Sequence, residues 1–197
     1  MKNGTNLTNR TNPSGSDKER LFFVHGGYRN LKSYQMTTLI YDFTVEFCNK
    51  FLPKNSYRMC DQMVQAARSG RQNIAEGSQA AGTSKKTEIK LTNVARASLE
   101  ELLIDYEDFL RQRSLKLWTK ESQEAKTVRN LAYAGDRSYI TYKTYLENSE
   151  NAANTLICLI HQANYLLDQQ LKKLSQDFLQ NGGFTERLYN KRQDYKK

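Results

Sequence analysis

Apolar residues recur along this chain at helical rather than strand spacing. Between Leu31 and Phe51, the residues Tyr34, Thr38, Tyr41, Val45 and Cys48 follow at steps of three and four and stack on one face. Ile40, Phe43, Phe47 and Phe51 form a second line beside them. The resulting arc is wider than one neighbour requires, so this helix is expected to contact two others, or also a partner subunit. Pro53 ends it. A second helix is predicted from Ser56 to Glu76, with Met59, Met63, Ala66, Ala67, Gly70, Ile74 and Gly77 on its inner side. Ala66, Ala67, Ser69 and Gly70 have little bulk, so another helix backbone can approach closely there. Gly70 costs the helix roughly 0.5–1 kcal/mol relative to alanine, and close packing would explain its presence.

Gly77 and Gly82 bracket a polar turn, after which a third helix starts behind Thr83 or Ser84. Ser84 and Glu88 are one residue too far apart for a capping box, so a simple hydroxyl cap is expected. Leu91, Ala95, Leu99, Leu102, Tyr106, Phe109 and Leu110 carry the apolar stripe to about Leu115, which gives a helix roughly 48 Å long at about 1.5 Å per residue. The stretch from Leu117 to Asn151 is less regular, with helices expected over Glu121–Tyr133 and Ser138–Leu146 around Gly135. A final long helix is predicted over Glu150–Gln180, lined by Ala153, Leu156, Ile160, Ala163, Leu167, Leu171, Leu174 and Phe178, and stopped by Gly182-Gly183.

Four long amphipathic segments define an all-α, up-and-down four-helix bundle with an additional helical insertion between the third and fourth long helices. Only 10 glycines and 2 prolines punctuate the chain, which argues against a β-sandwich or a loop-rich α/β fold. Residues 1–20 are polar and predicted to be a disordered N-terminal segment. Residues 21–183 are expected to form a single helical-bundle domain that includes the insertion 118–149, and residues 184–197 a basic C-terminal tail, with a helical stretch around Glu186–Asn190. The run Leu21-Phe22-Phe23-Val24 would either dock on the body or form a short strand-like arm.

The chain carries 30 basic against 21 acidic side chains, a net charge of +9, which favours acidic partners such as RNA or DNA. Cys48, Cys60 and Cys158 are isolated, with no CxxC pair. They are expected to be reduced thiols in a cytoplasmic protein. No apolar span of membrane-crossing length and no secretion signal is seen, so no membrane association is expected.

Candidate chemistry is thin. His25 and His161 are the only histidines and belong to no HxxxH, HExxH or ExxH pattern. Glu100, Glu101, Asp105, Glu107 and Asp108 cluster on the third helix, but a solvated acidic face explains them better than a carboxylate metal site, which would need Glu-x-x-His units. No phosphate-binding glycine loop or nucleophile elbow is present. The residues predict no catalytic centre, no metal site and no cofactor. The basic residues are more informative. Arg68 and Arg71 are neighbours on the second helix, and Arg58 lies nearly three turns before them. Lys85, Lys86, Lys90 and Arg96 occupy the first half of the third helix. With the two helices antiparallel, these seven would meet phosphates without selecting sequence. Tyr133, Tyr139, Tyr142 and Tyr145 in the insertion would either stack on bases or, the favoured reading, pack the insertion on the bundle.

The run from Gln62 to Gly77, ending Asn73-Ile74-Ala75-Glu76-Gly77, resembles the signature of four-helix-bundle proteins of the 23S ribosomal RNA intervening-sequence type. Val94-Ala95-Arg96-Ala97-Ser98-Leu99-Glu100-Glu101-Leu102 resembles a second family element. With the helical framework, the likeness spans roughly residues 30 to 115 and 150 to 180. The family's paired arginines fall on Val64 and Gln65, and its hydrophobic-proline step falls on Gly70-Arg71. Residues 116 to 150 and the tail exceed the compact family body. Relatives include the accessory variability proteins of diversity-generating retroelements, basic bundles that form pentameric rings and associate with nucleic acid and a reverse transcriptase. The resemblance therefore implies a non-enzymatic, homo-oligomeric (pentameric) nucleic-acid-binding accessory protein, acting with a reverse transcriptase or on structured RNA. The alternative is a protein–protein adaptor that uses the aromatic insertion and basic tail.

Overall fold

The structure, a computed structural model, describes residue 22, residues 25–133 and residues 139–196. The disorder expected over residues 1–20 lies outside the described residues, as do Ser138 and Gly135 of the expected insertion helices. Of the apolar run at Leu21–Val24 only Phe22 is described, and its ring stacks on Phe184 at 5.7 Å.

A 3-10 turn at Tyr28–Asn30 leads into α1 (Lys32–Phe51), which is followed by α2 (Tyr57–Ala80) and α3 (Lys85–Gln112). The insertion contributes α4 (Gln123–Tyr133), α5 (Tyr139–Tyr142) and a 3-10 turn at Lys143–Glu147. Then come α6 (Ser149–Asn181) and α7 (Phe184–Asp194). The four long helices pack in the cyclic order α1, α2, α3, α6, with α6 closing against α1. Cross-helix pairs fix the directions. Tyr41 meets Arg71 while Cys48 meets Cys60, so α1 and α2 are antiparallel. Gly70 faces Leu99 while Gly77 faces Glu88, which makes α2 and α3 antiparallel. Lys85 reaches Asp177 while Arg96 reaches Asp168, which makes α3 and α6 antiparallel. The bundle is up-and-down with an inserted helical segment, as the periodicity predicts.

The interior is built from the central parts of the predicted stripes, while Met59, Leu91, Leu171, Leu174 and Phe178 towards the helix ends are half-buried. Phe47 meets Tyr106 and Phe109 edge-on at 5.0 and 4.8 Å, and all three are buried. One buried polar pair crosses between α1 and α3: the Tyr106 hydroxyl donates to Thr44 Oγ1 at 3.0 Å. Burial pushes the Tyr106 phenol well above its usual range, with the Thr44 bond opposing the shift.

Several boundaries differ from expectation. Helix α2 runs through Gly77 to Ala80, because Ala81 still donates to the Gly77 carbonyl. Here Gly77 is a point of contact rather than a stop. A Cβ there would lie 3.3 Å from both the Glu88 carbonyl oxygen and Leu91 Cβ. Helix α3 stops at Gln112, short of Leu115. Ser114 adopts a left-handed φ of 53°, Leu115 N–H returns to the Leu110 carbonyl at 2.9 Å, and Ser114 N–H returns to Arg111 at 3.2 Å. This is a Schellman closure with serine in the place glycine usually fills. The expected helix Ser138–Leu146 is, where described, a single α-turn followed by tighter 3-10 winding, which seats Tyr142 and Leu146 in the core. At the start of α3, Ser84 Oγ accepts from Thr87 N–H at 3.2 Å, the simple cap expected. Gly182 ends α6 with φ 67° and ψ −171°, a conformation essentially confined to glycine. The tail then forms α7, longer than the expected stretch.

The inner line of the α1 arc, Ile40, Phe43 and Phe47, is covered within the chain, while Tyr34, Thr38, Tyr41 and Val45 stay half-buried. Helices α2 and α6 take two sides, and Tyr139 and Tyr142 close edge-on over Phe43 at 5.2 and 6.2 Å. The two helix contacts expected of the arc are thus present, and Tyr139 and Tyr142 act in packing.

The small-residue seam between α2 and α3 is a close contact. A Cβ at Gly70 would lie 2.9 Å from Leu99 Cδ2, and Leu99 is fully buried. Gly70→Val is expected to cost about 1–3 kcal/mol through overpacking, read as a lowered thermal midpoint. Gly27→Ala, where an added Cβ meets nothing within 4 Å, should leave the midpoint nearly unchanged. Equal midpoints for Gly70→Val and the wild type would refute the seam as a steric constraint.

Candidate nucleic-acid interface

The seven basic residues singled out above divide into two groups. Three are engaged in holding helices together. Lys85 Nζ, at the start of α3, lies 3.2 Å from Glu88 Oε2 and 3.6 Å from Asp177 Oδ2, with its side chain only 12% exposed. Arg96 Nε lies 2.6 Å from Asp168 Oδ1 of α6. The Arg71 guanidinium sits 4.3 Å from the centre of the Tyr41 ring, a cation–π contact between α2 and α1. The other four face outward. Arg68, Lys86 and Lys90 are exposed, with no ion-pair partner among the described residues. Arg58 is exposed beside the Tyr57 ring, 6.0 Å away.

Position on the helices explains the division. Lys85 and Arg96 lie on the flank of α3 that meets α6, whereas Lys86 and Lys90, one turn apart, lie on its outer face. Arg68 and Arg71 are one turn apart on α2, but only Arg71 reaches α1. The antiparallel seam sets Gly77 beside Glu88, which brings Lys86 and Lys90 beside the C-terminal end of α2. Arg68 lies about two to three turns away along α2, and Arg58 further still. The result is an open strip of cations along α2 and α3 rather than one dense patch.

The acidic face of α3 is partly buried. Desolvation raises the Asp105 carboxyl above its ordinary 3.8, and Asp108 and then Glu101 add to the shift by repulsion. Burial also raises Glu88, against the pull of Lys85. Among the described residues no group of three or more His, Cys, Asp or Glu side chains is placed to hold a metal ion. No described helix is long and apolar enough to cross a membrane. The cysteines carry no described disulfide. Burial pushes the Cys158 thiol up to about 11, with Arg129 pulling it down, and Cys48 is pushed higher by burial and the neighbouring Cys60.

These features sit in a chain whose residues 29–127 match the family profile of the 23S rRNA-intervening sequence protein. The match covers half of the sequence. The chain belongs to this family. No curated protein and no solved structure gives a significant match. The family segment contains α1 to α3, all seven basic residues and the start of α4, whereas α5, α6 and α7 lie beyond it.

The structure also contains a cavity that the sequence did not indicate. It has a volume of about 580 Å³, and its lining includes Met36 of α1, Trp118 of the loop after α3, Arg129 of α4, and His161, Gln162 and Tyr165 of α6. Asn154, buried on α6, holds the loop in place: its Oδ1 accepts from Trp118 N–H at 2.7 Å, and its Nδ2 donates to the Lys116 carbonyl at 2.8 Å. Arg129 Nη2 donates to the Lys120 carbonyl at 2.7 Å and ties the same loop to α4.

A raised carboxyl holds its proton more tightly folded than unfolded, so Asp105 costs stability as pH rises through the interval above 3.8. Asp105→Asn is expected to be more stable than the wild type at neutral pH, and this advantage should vanish below the ordinary carboxyl value. Urea melts at the two pH extremes check it. An equal difference at both would contradict the burial and repulsion described.

Proposed function

We propose that this protein is a non-enzymatic nucleic-acid-binding accessory protein that binds phosphates through Arg58, Arg68, Lys86 and Lys90. The observation that carries the reading is the outward strip of unneutralised cations on α2 and α3, in a chain of net charge +9. Membership of a family named for an insert in ribosomal RNA supports RNA as a partner. Lys85, Arg71 and Arg96 have structural roles in this reading and contribute only to the local field. Each phosphate neutralised releases counterions, so affinity depends steeply on salt.

The protein acts as a cytoplasmic homo-oligomer in this reading, in line with its unpaired thiols. Val94 and Ile104, 38% and 53% exposed on the outer side of α3, provide apolar surface for self-association. A pentameric ring, as the resemblance to retroelement accessory proteins implies, would repeat the cationic strip around one assembly. Structured RNA, single-stranded DNA or a reverse transcriptase bound to either would be its counterpart. The adaptor reading has less support, since Tyr142 of the insertion is fully buried.

Binding of a labelled RNA hairpin and of single-stranded DNA across a salt series tests the proposal. Replacing Arg68, Lys86 and Lys90 together by Gln should flatten the slope of log K against log salt by about 2–3, at roughly 0.7–0.9 per contact. Arg96→Gln should leave the slope unchanged while lowering stability. Negligible wild-type binding at low salt, or an unchanged slope in the triple variant, would overturn the reading.

A further inference from the structure

The cavity between the loop after α3, α4 and α6 has the composition of a ligand site. Its volume of about 580 Å³ falls within the roughly 300–1,000 Å³ of small-molecule pockets. Met36, Trp118 and Tyr165 supply apolar and aromatic wall, while Lys120 and Arg129 outnumber the one lining carboxylate, Glu107. The deciding feature is Gln162. Both carboxamide atoms, Nε2 and Oε1, are buried and lack a hydrogen-bond partner among the described residues. Leaving such a group unpaired costs the desolvation of both its donor and its acceptor. Because both atoms are unpaired, the conclusion does not depend on which way the amide is turned.

A carboxamide presents one donor and one acceptor side by side. A ligand that satisfies it must offer an adjacent acceptor and donor on a flat edge, and aromatic walls select a flat ligand. Nucleobases meet both conditions, and adenine pairs with glutamine through N6–H and N7. We propose that the cavity receives a single unpaired nucleobase, adenine foremost, stacked against its aromatic wall and paired to Gln162, with the attached phosphate near Lys120 and Arg129. The inference rests on the nucleic-acid reading for its class of ligand and adds base recognition to a surface that otherwise reads only charge. Stacking contributes sequence-tolerant affinity, and the Gln162 edge contributes preference. The lining comes in nearly equal parts from the family-matched segment, which supplies Trp118 and Lys120, and from beyond it, where Arg129, Gln162 and Tyr165 lie.

Trp118 is the only tryptophan and lines the cavity, so its fluorescence reports occupancy there and not contacts along α2 and α3. The probes are an RNA hairpin with one bulged adenosine, the same hairpin with an abasic bulge, and adenosine monophosphate. The bulged-adenosine hairpin should quench Trp118 and bind more tightly than its abasic twin by roughly 5- to 150-fold, the range for a bidentate base contact. Gln162→Met, close to glutamine in volume, should reduce that preference to within about twofold and leave abasic binding unchanged, with a raised melting midpoint because the unpaired carboxamide is gone. Equal binding of the two hairpins with Trp118 emission unmoved overturns the base site and leaves the phosphate-binding reading standing. Quenching by adenosine monophosphate with neither hairpin bound supports the base site for a free nucleotide and overturns the nucleic-acid reading. No quenching by any probe overturns the base site.

Discussion

The close approach of α2 and α3 is the constraint on which the rest of the molecule depends. Gly70 leaves space for Leu99, Ser69 and Ser98 share a hydrogen bond of 2.9 Å, and Gly77 admits the backbone at Glu88. Three contacts along one seam fix both the separation and the register of the two helices. That register sets which flank of α3 is left for α6, and so brings Arg96 to Asp168 and Lys85 to Asp177. Once α6 is placed, Asn154 can hold the loop carrying Trp118, and α4 can pack over it. A side chain as small as valine at Gly70 acts on this whole sequence of contacts.

The same register divides the charge. A basic side chain on the inner flank of α3 meets an aspartate and becomes part of the framework, while one a residue away remains in solvent. Lys85 and Lys86 differ by one position and by about 100° around the helix, and this alone separates an ion pair from a free cation. Net charge therefore overstates what the surface offers an anion. Exposed cations are found along the whole chain, and Arg58, Arg68, Lys86 and Lys90 are the ones that the outer faces of α2 and α3 leave without an ion-pair partner among the described residues.

Most of the fold was legible because helix period, small-residue runs and end signals are local properties. The four stripes, the Ser84 cap and the Gly182 stop needed only neighbouring residues to be read. Gly77 misled because glycine is both a helix stop and a device for close contact, and only the facing Glu88 decides between them. Ser114 carries no glycine signal, so the end of α3 was placed too far along. The width of the α1 arc was readable, but what covers it was not, since Tyr139 and Tyr142 come from the irregular insertion. The basic candidates were found by spacing, while their sorting depends on Asp168 and Asp177, far away in sequence. The cavity draws on α1, the loop after α3, α4 and α6 together, so no single stretch carries its signature.

Closure of the bundle by α6 has a consequence for how the chain is made. Helices α1 to α3 are consecutive and joined by short turns, so their contacts are local and form quickly. Helix α6 follows a long insertion. At about 5–20 residues per second, a ribosome finishes α6 about 3–14 seconds after it has finished α3. For that interval the faces of α1 and α3 that α6 will cover border an unfilled groove, and the nascent chain stays exposed to misassembly until its last long helix arrives.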